Sequence, residues 1–285
     1  MIELKKGGTT VKINEIGAEL QSILHNGTEL IWNGDPKFWT GRAPILFPIC
    51  GGLKDDAYFW NGEKYCLPKH GFARHSRFTA EKKTENIAEF LLCSDAETKT
   101  NYPFDWKLNV TYTLNESELK IEYCVTNLSS GIMPFSIGAH EAYLCPEGIE
   151  EYDVIFEKEE TLDSYILDGN LLEHNTVRIL DRGHVLPLKY DYFEVDALVF
   201  KHLNSNSAVL KNRLNGRSVK LSFKDFPYFL LWTIKKDAPY ICMEPWYGIQ
   251  DPVDSSQDIL DKEGIIKLNS GESKTLIHTI TLIEE

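Results

Sequence analysis

The sequence predicts an all-β protein, one large antiparallel β-domain, and three observations carry that reading. Asn-Gly pairs stand between strand-like runs, apolar residues alternate with period two, and no helix-period stretch exceeds about three turns. Asn-Gly occurs at 26–27, 33–34, 61–62 and 215–216, and three of these pairs separate candidate strands. The pair accepts the two positive φ angles of a type I′ turn, the commonest tight hairpin connection.

Along the chain, residues 22–25 turn at Asn26-Gly27 into residues 28–32, and residues 57–60 turn at Asn61-Gly62 into residues 63–67. Helical turns are expected only near 35–39 and 255–260. Leu108, Val110, Tyr112 and Leu114 alternate with polar residues, and Leu119, Ile121, Tyr123 and Val125 repeat the pattern after a turn at Asn115-Glu116-Ser117. These are two antiparallel strands that each bury one face. Residues 144–195 mix the acidic run Glu157 to Glu160 with short apolar pieces and read as an elaborated excursion with edge strands, not a second domain. Residues 208–210 and 217–223 flank Asn215-Gly216, and residues 228–234 and 240–243 read as apolar strands. In the last strand, residues 274–283, Leu276, His278, Ile280 and Leu282 share one side, so His278 should face inward. No linker, repeat or low-complexity segment interrupts the chain, and residues 1–285 are expected to form a single domain.

Composition narrows the function classes. A hydrophobic content of 42% with 12% aromatic residues supplies a sizeable core. The net charge of −13 is spread along the chain and speaks against nucleic-acid or anionic-membrane partners, which need basic patches. The N-terminus has no apolar signal core, and no window approaches the ~20 apolar residues of a membrane span. Six cysteines (50, 66, 93, 124, 145, 242) lie far apart without a Cys-x-x-Cys pair, several of them inside apolar strand patterns. That is the usage of reduced core cysteines; it predicts a cytoplasmic location and no zinc or other metal site.

Five stretches can carry chemistry. The apolar strand at 240–243 delivers Glu244 and is then expected to end at Pro245, Trp246 and Gly248, a carboxylate beside a rigid turn and a flat ring. Such a group suits proton transfer next to a sugar whose C–H face lies on the indole. His70 precedes Gly71, and His140 follows Gly138 and Ala139, so both imidazoles have small neighbours that leave room for a ligand. Arg42 precedes a buried-looking run closed by Gly51-Gly52 and offers a five-donor fork. Asp196 stands at the entry to an apolar strand. The remaining histidines lack such surroundings.

Arg42-Ala43-Pro44-Ile45-Leu46-Phe47-Pro48, His70-Gly71-Phe72-Ala73-Arg74, Gly138-Ala139-His140-Glu141-Ala142-Tyr143, Asp196-Ala197-Leu198-Val199-Phe200 and Glu244-Pro245-Trp246-Tyr247-Gly248 follow one another over nearly the whole chain. In this order they resemble the aldose 1-epimerase (galactose mutarotase) superfamily, in particular its LacX-like branch, which shares features with the hexose-6-phosphate mutarotases. The resemblance implies a large antiparallel β-sandwich with a sugar site on a concave face. It implies that His140 is the general acid at the ring oxygen, Glu244 the base at the C1 hydroxyl, and His70 a group that polarises the ring oxygen. Arg42 and Asp196 would bind hydroxyls, Trp246 would line the pocket, and Arg74 would join them for a phosphosugar. No metal and no cofactor is implied; the partner is a small sugar, and the protein would be a monomer or homodimer. An Asn-Arg pair of the classical mutarotases is replaced by Gly41-Arg42, which puts a galactose preference in doubt. A catalytically silent carbohydrate-binding protein is the rival reading. A glycoside hydrolase using Glu141 and Glu244 ranks below both, because Glu141 adjoins His140 and should point to the opposite side of an extended segment.

Overall fold

Residues 1–234 and 237–283 are described in a computed structural model. The N-terminal strands β1 (Ile2–Lys6), β2 (Thr9–Ile13), β3 (Leu20–His25) and β4 (Thr28–Glu29) form one antiparallel sheet, and β5 (Ala57–Trp60) and β6 (Glu63–Cys66) a separate hairpin. Their Asn-Gly turns take the backbone their composition demands: Asn26 and Gly27 have φ of 47° and 82°, Asn61 and Gly62 of 51° and 82°. The strands β7 (Thr79–Thr84), β8 (Ile87–Cys93), β9 (Trp106–Leu114) and β10 (Glu118–Asn127) follow as a meander, with the one-turn helix α1 (Thr98–Asn101) between β8 and β9. Next come β11 (Met133–Phe135), β12 (Ile137–Gly138), β13 (Glu141–Leu144) and the long pair β14 (Tyr152–Asp168) and β15 (Leu171–Pro187). The described strands end with β16 (Leu198–Lys201), β17 (Ser207–Asn212), β18 (Ser218–Ser222), β19 (Tyr228–Trp232), β20 (Tyr240–Tyr247), β21 (Ile266–Leu268) and β22 (Ser273–Ile283).

Two sheets face each other across the main core. One runs β15-β14-β17-β18-β22-β10-β9-β8-β7; in the other, β12 and β13 pair with β20, which pairs with β19 and then β16. Period two sorts the side chains. On β9 and β10 the alternating apolar residues are all buried, and on β22 so are Leu276, His278, Ile280 and Leu282. From the opposite sheet Phe229, Leu231, Ile241 and Met243 enter the same core, where the Phe229 ring meets Phe156 of β14 edge to face at 6.2 Å. Leu230, Trp232, Cys242, Glu244 and Trp246 therefore turn to the other face of that sheet, which carries the cleft described below.

Several expectations are corrected. Strand β20 does not end at Glu244 but runs on through Pro245 and Trp246 to Tyr247, because β19 and β12 pair with those residues. Asn215-Gly216 lies in a longer loop in which only Gly216 has positive φ (75°), so it is no type I′ turn. The strand after Asn26-Gly27 stops at Glu29, whose carboxylate accepts from the backbone N–H groups of Ile23, Leu30 and Ile31 and draws the chain out of the ladder. Residues 255–260 form turns without a helix, whereas Trp39 N–H does donate to Asp35 C=O in the expected turn. The hard-to-read residues 144–195 are largely one hairpin of two 17-residue strands, and β15 is the edge strand of the nine-stranded sheet. Its signal was weak because β15 is mostly exposed and the pair carries repeated register shifts. Cys50, Cys145 and Cys242 are buried as core thiols, but Cys66 and Cys93 are exposed. Among the described residues no helix is long and apolar enough to cross a membrane.

Candidate active site

The strand register brings the two proposed proton-transfer groups together. Gly138 is paired with Trp246 and Glu141 with Met243, which sets His140 directly opposite Glu244. The ladder between β12/β13 and β20 is open at that point for a covalent reason: Ala139 N–H donates to Pro245 C=O at 3.0 Å, and Pro245 has no N–H to return. His140 Nε2 lies 3.3 Å from Glu244 Oε2, with both side chains buried. Glu141, one residue on, points the other way into the core, where its Oε1 meets His278 Nε2 at 2.8 Å. The alternation that removes Glu141 from the site also removes the Glu141–Glu244 pair on which a glycosidase reading would rest.

Burial dominates the electrostatics of the pair. It pushes Glu244 well above its usual value of 4.5, with Lys69 opposing, and lowers His140 from 6.5 to about 3. A carboxyl group that resists losing its proton and an imidazole that resists gaining one hold a single transferable proton between them over a wide pH range.

His70 is held differently. Its backbone is left-handed (φ 70°), an uncommon conformation for a side-chain-bearing residue, and two hydrogen bonds to Gly51 fix it there. The His70 backbone N–H donates to Gly51 C=O at 2.9 Å, and the Gly51 backbone N–H donates to His70 Nδ1 at 3.1 Å. With Nδ1 accepting and burial lowering its basicity, His70 is a neutral imidazole whose proton sits on Nε2. The rings of His70 and His140 stand edge to face, 5.8 Å apart between centroids.

The glycines beside these histidines serve packing. A Cβ on Gly71 would lie 2.3 Å from Phe47 O, and one on Gly138 would lie 2.7 Å from the Trp246 indole. The sequence suggested room for a ligand, but the space is taken by the Phe47 backbone and the Trp246 ring.

His70, His140, Glu244, Trp246, Asp196 and Arg74 line one cleft of about 270 Å³. Arg42 does not: its Nη1 donates to Gln21 C=O at 2.9 Å, and its backbone N–H binds Glu19, so the arginine braces β3 instead of facing the cleft. Lys69, Gln250, Leu230, Trp39 and Trp232 line the cleft as well and were not singled out in the sequence. Trp39 lies 5.1 Å from the His140 ring and Trp232 5.6 Å, so aromatic rings enclose the imidazole and exclude water from it. Trp232 was within reach of sequence reasoning, because Leu230 and Trp232 share a face and Leu230 pairs with Glu244. Trp39 sits in an irregular loop and left no such signal. At the cleft His140 Nδ1, Trp246 Nε1 and Gln250 Oε1 are buried polar atoms without a hydrogen-bond partner among the described residues.

Donor atoms of His140, Cys242 and Glu244 lie within 4.8 Å of one another. Burial raises the Cys242 thiol well above its usual range, so without a bound cation this sulfur is held as S–H.

A model of the family described as aldose 1-epimerase matches residues 1–280. The chain belongs to the aldose 1-epimerase family. It is 34% identical to the plasmid form of protein LacX from Lactococcus lactis subsp. lactis, over 99% of both chains. A galactose mutarotase-like protein from Lactobacillus casei has the same architecture, with a TM-score of 0.94 at 31% identity over 99% of this chain and 100% of that one. A galactose mutarotase related enzyme from Lactobacillus acidophilus follows with a TM-score of 0.93 at 30% identity, over 99% and 97% of the two chains. The family membership and the large antiparallel fold agree with what the five motifs implied.

Proposed function

We propose that this aldose 1-epimerase family member interconverts the α and β anomers of an aldohexose by acid–base ring opening and reclosure. The observation that carries the proposal is the buried His140–Glu244 pair, 3.3 Å apart, in a cleft of one-sugar size. At about 270 Å³ the cleft lies just below the range of drug-sized ligand sites, about 300–1,000 Å³, as suits a single small ring. A pyranose lies against the two groups, its C1 hydroxyl at Glu244 and its ring oxygen at His140. Glu244, as carboxylate, takes the proton of the C1 hydroxyl while His140, as imidazolium, gives its proton to the ring oxygen. The C1–O5 bond breaks, C1 becomes an aldehyde and turns about C1–C2, and reversal of both transfers closes the ring on the opposite face. The pair begins and ends with one proton. His70 Nε2–H supplies a fixed donor beside the ring oxygen, and Asp196 with Lys69 (3.8 Å apart) presents an acceptor and a donor to hydroxyls.

A second substrate reading rests on Lys69 and Arg74, two cationic side chains in the cleft of a chain whose net charge is −13. They suit a phosphorylated hexose. Polarimetry of freshly dissolved α-D-glucose, α-D-galactose and their 6-phosphates separates the possibilities. Faster relaxation with at least one of them is expected; binding of a sugar without acceleration would make the protein a silent carbohydrate binder and overturn the proposal.

The pH profile should bear the mark of burial. A second proton enters the pair only through His140, lowered to about 3, and the last proton leaves only above the ordinary range of Glu244. The acid limb of kcat/KM is therefore expected well below 6.5, the usual imidazole value. An acid limb centred on that value would mean a solvated His140.

A further inference from the structure

The residue after the cleft residue Gln250 is Asp251, a carboxylate in a buried ion pair with Lys262. Asp251 Oδ1 lies 2.7 Å from Lys262 Nζ, with side-chain exposures of 3% and 2%. Burying such a pair confers little net stability, since desolvation offsets most of the attraction; its value lies in fixing an arrangement. What it fixes here is specific. Asp251 Oδ2 accepts from Lys54 N–H at 3.1 Å and Ser255 Oγ at 3.1 Å, and Asp251 N–H donates to Gly52 C=O at 2.9 Å. The turn 51–54 is thus held at both ends by one residue. The same turn supplies both hydrogen bonds that keep His70 in its left-handed backbone and its Nε2–H tautomer. A Cβ on Gly51 would lie 2.8 Å from the Gln250 backbone, so the turn and the segment of Asp251 are in tight contact. A second link leaves Asp251 in the other direction. Its C=O accepts from Leu172 N–H at 2.9 Å, which ties the β14–β15 tip, and with it the cleft residue Leu167, to the same point.

We propose that Asp251, with its charge compensated by Lys262, is a positioning residue for His70: it acts through the turn 51–54 to hold the His70 imidazole in the orientation and tautomer that the epimerase reaction uses. The inference rests on the proposed function for the role of His70, but the placement of the ring is measurable without turnover.

The test is a double-mutant cycle of Asp251→Asn with His70→Asn, read by anomer relaxation and by 15N spectra of the histidine rings. Asp251→Asn is expected to lower kcat/KM by about tenfold or more in the wild-type background, as loss of orientation does. In the His70→Asn background it should change kcat/KM less than about twofold, because the group it positions is already gone. In the spectra, the His70 signals should move from a pure Nε2–H tautomer to a mixture. Equal losses in both backgrounds would make Asp251 a general structural residue and overturn the proposal, and so would unchanged His70 signals. If Asp251→Asn does not fold, Asp251→Asn/Lys262→Gln, which leaves no uncompensated charge, is read in the same way. If the wild-type protein accelerates no sugar, the epimerase proposal falls while the ring spectra still decide the positioning.

Discussion

Glu244→Gln is expected to lower kcat by about 10²–10⁴-fold while sugar binding and the fold persist. The amide keeps the shape and a hydrogen bond towards His140 but cannot take a proton from the C1 hydroxyl. Because the pair shares one proton, His140→Asn should fail to a similar degree, and the double variant should be little worse than either single one. Anomer exchange followed by NMR, with sugar binding followed by calorimetry, checks both points. A Glu244→Gln protein with wild-type kcat would remove Glu244 from the chemistry altogether.

His278→Ala is expected to destabilise the protein by about 3–5 kcal/mol, the cost of stripping one partner from a buried polar pair. The alanine leaves Glu141 Oε1 without its 2.8 Å contact in a core where Oε2 already has no partner among the described residues. It also opens a void beside Tyr123, whose ring centroid is 5.5 Å from that of His278. Urea unfolding should show a lower midpoint at unchanged slope. Glu141→Leu/His278→Leu should lose far less, since no carboxyl group is then stranded in the core. A single variant as stable as wild type would show that water, not His278, satisfies Glu141.

What the sequence made legible was local. The Asn-Gly turns at 26–27 and 61–62 and the alternation in β9, β10 and β22 depend on neighbours in the chain, and each stands where expected. The β14–β15 hairpin was obscured because its outer strand is largely exposed and its bulges break the period-two pattern. Strand β20 was cut short because a proline reads as a stop unless one knows that its neighbour is interrupted at the same place. Six of the seven residues proposed for the site meet in one cleft. Arg42 does not, because an arginine's reach is set by tertiary contacts, here Gln21 and Glu19, that no motif encodes. The aromatic wall at Trp39 and the Asp251–Lys262 pair came into view only with the fold, since their partners are remote in sequence or outside any regular pattern.

The interruption at Pro245 divides what selection or a protein engineer can change independently. Glu244 and Trp246 share a strand with Met243, which is packed in the main core, so an insertion or deletion in β20 would exchange inner and outer faces and cost reaction and fold together. Trp39, Lys69, Arg74, Asp196 and Gln250 reach the same cleft from segments outside the strands. A combinatorial library confined to Lys69, Arg74 and Asp196, which are not packed in the core, is expected to alter ligand preference while leaving the β20 register untouched, at little cost in stability.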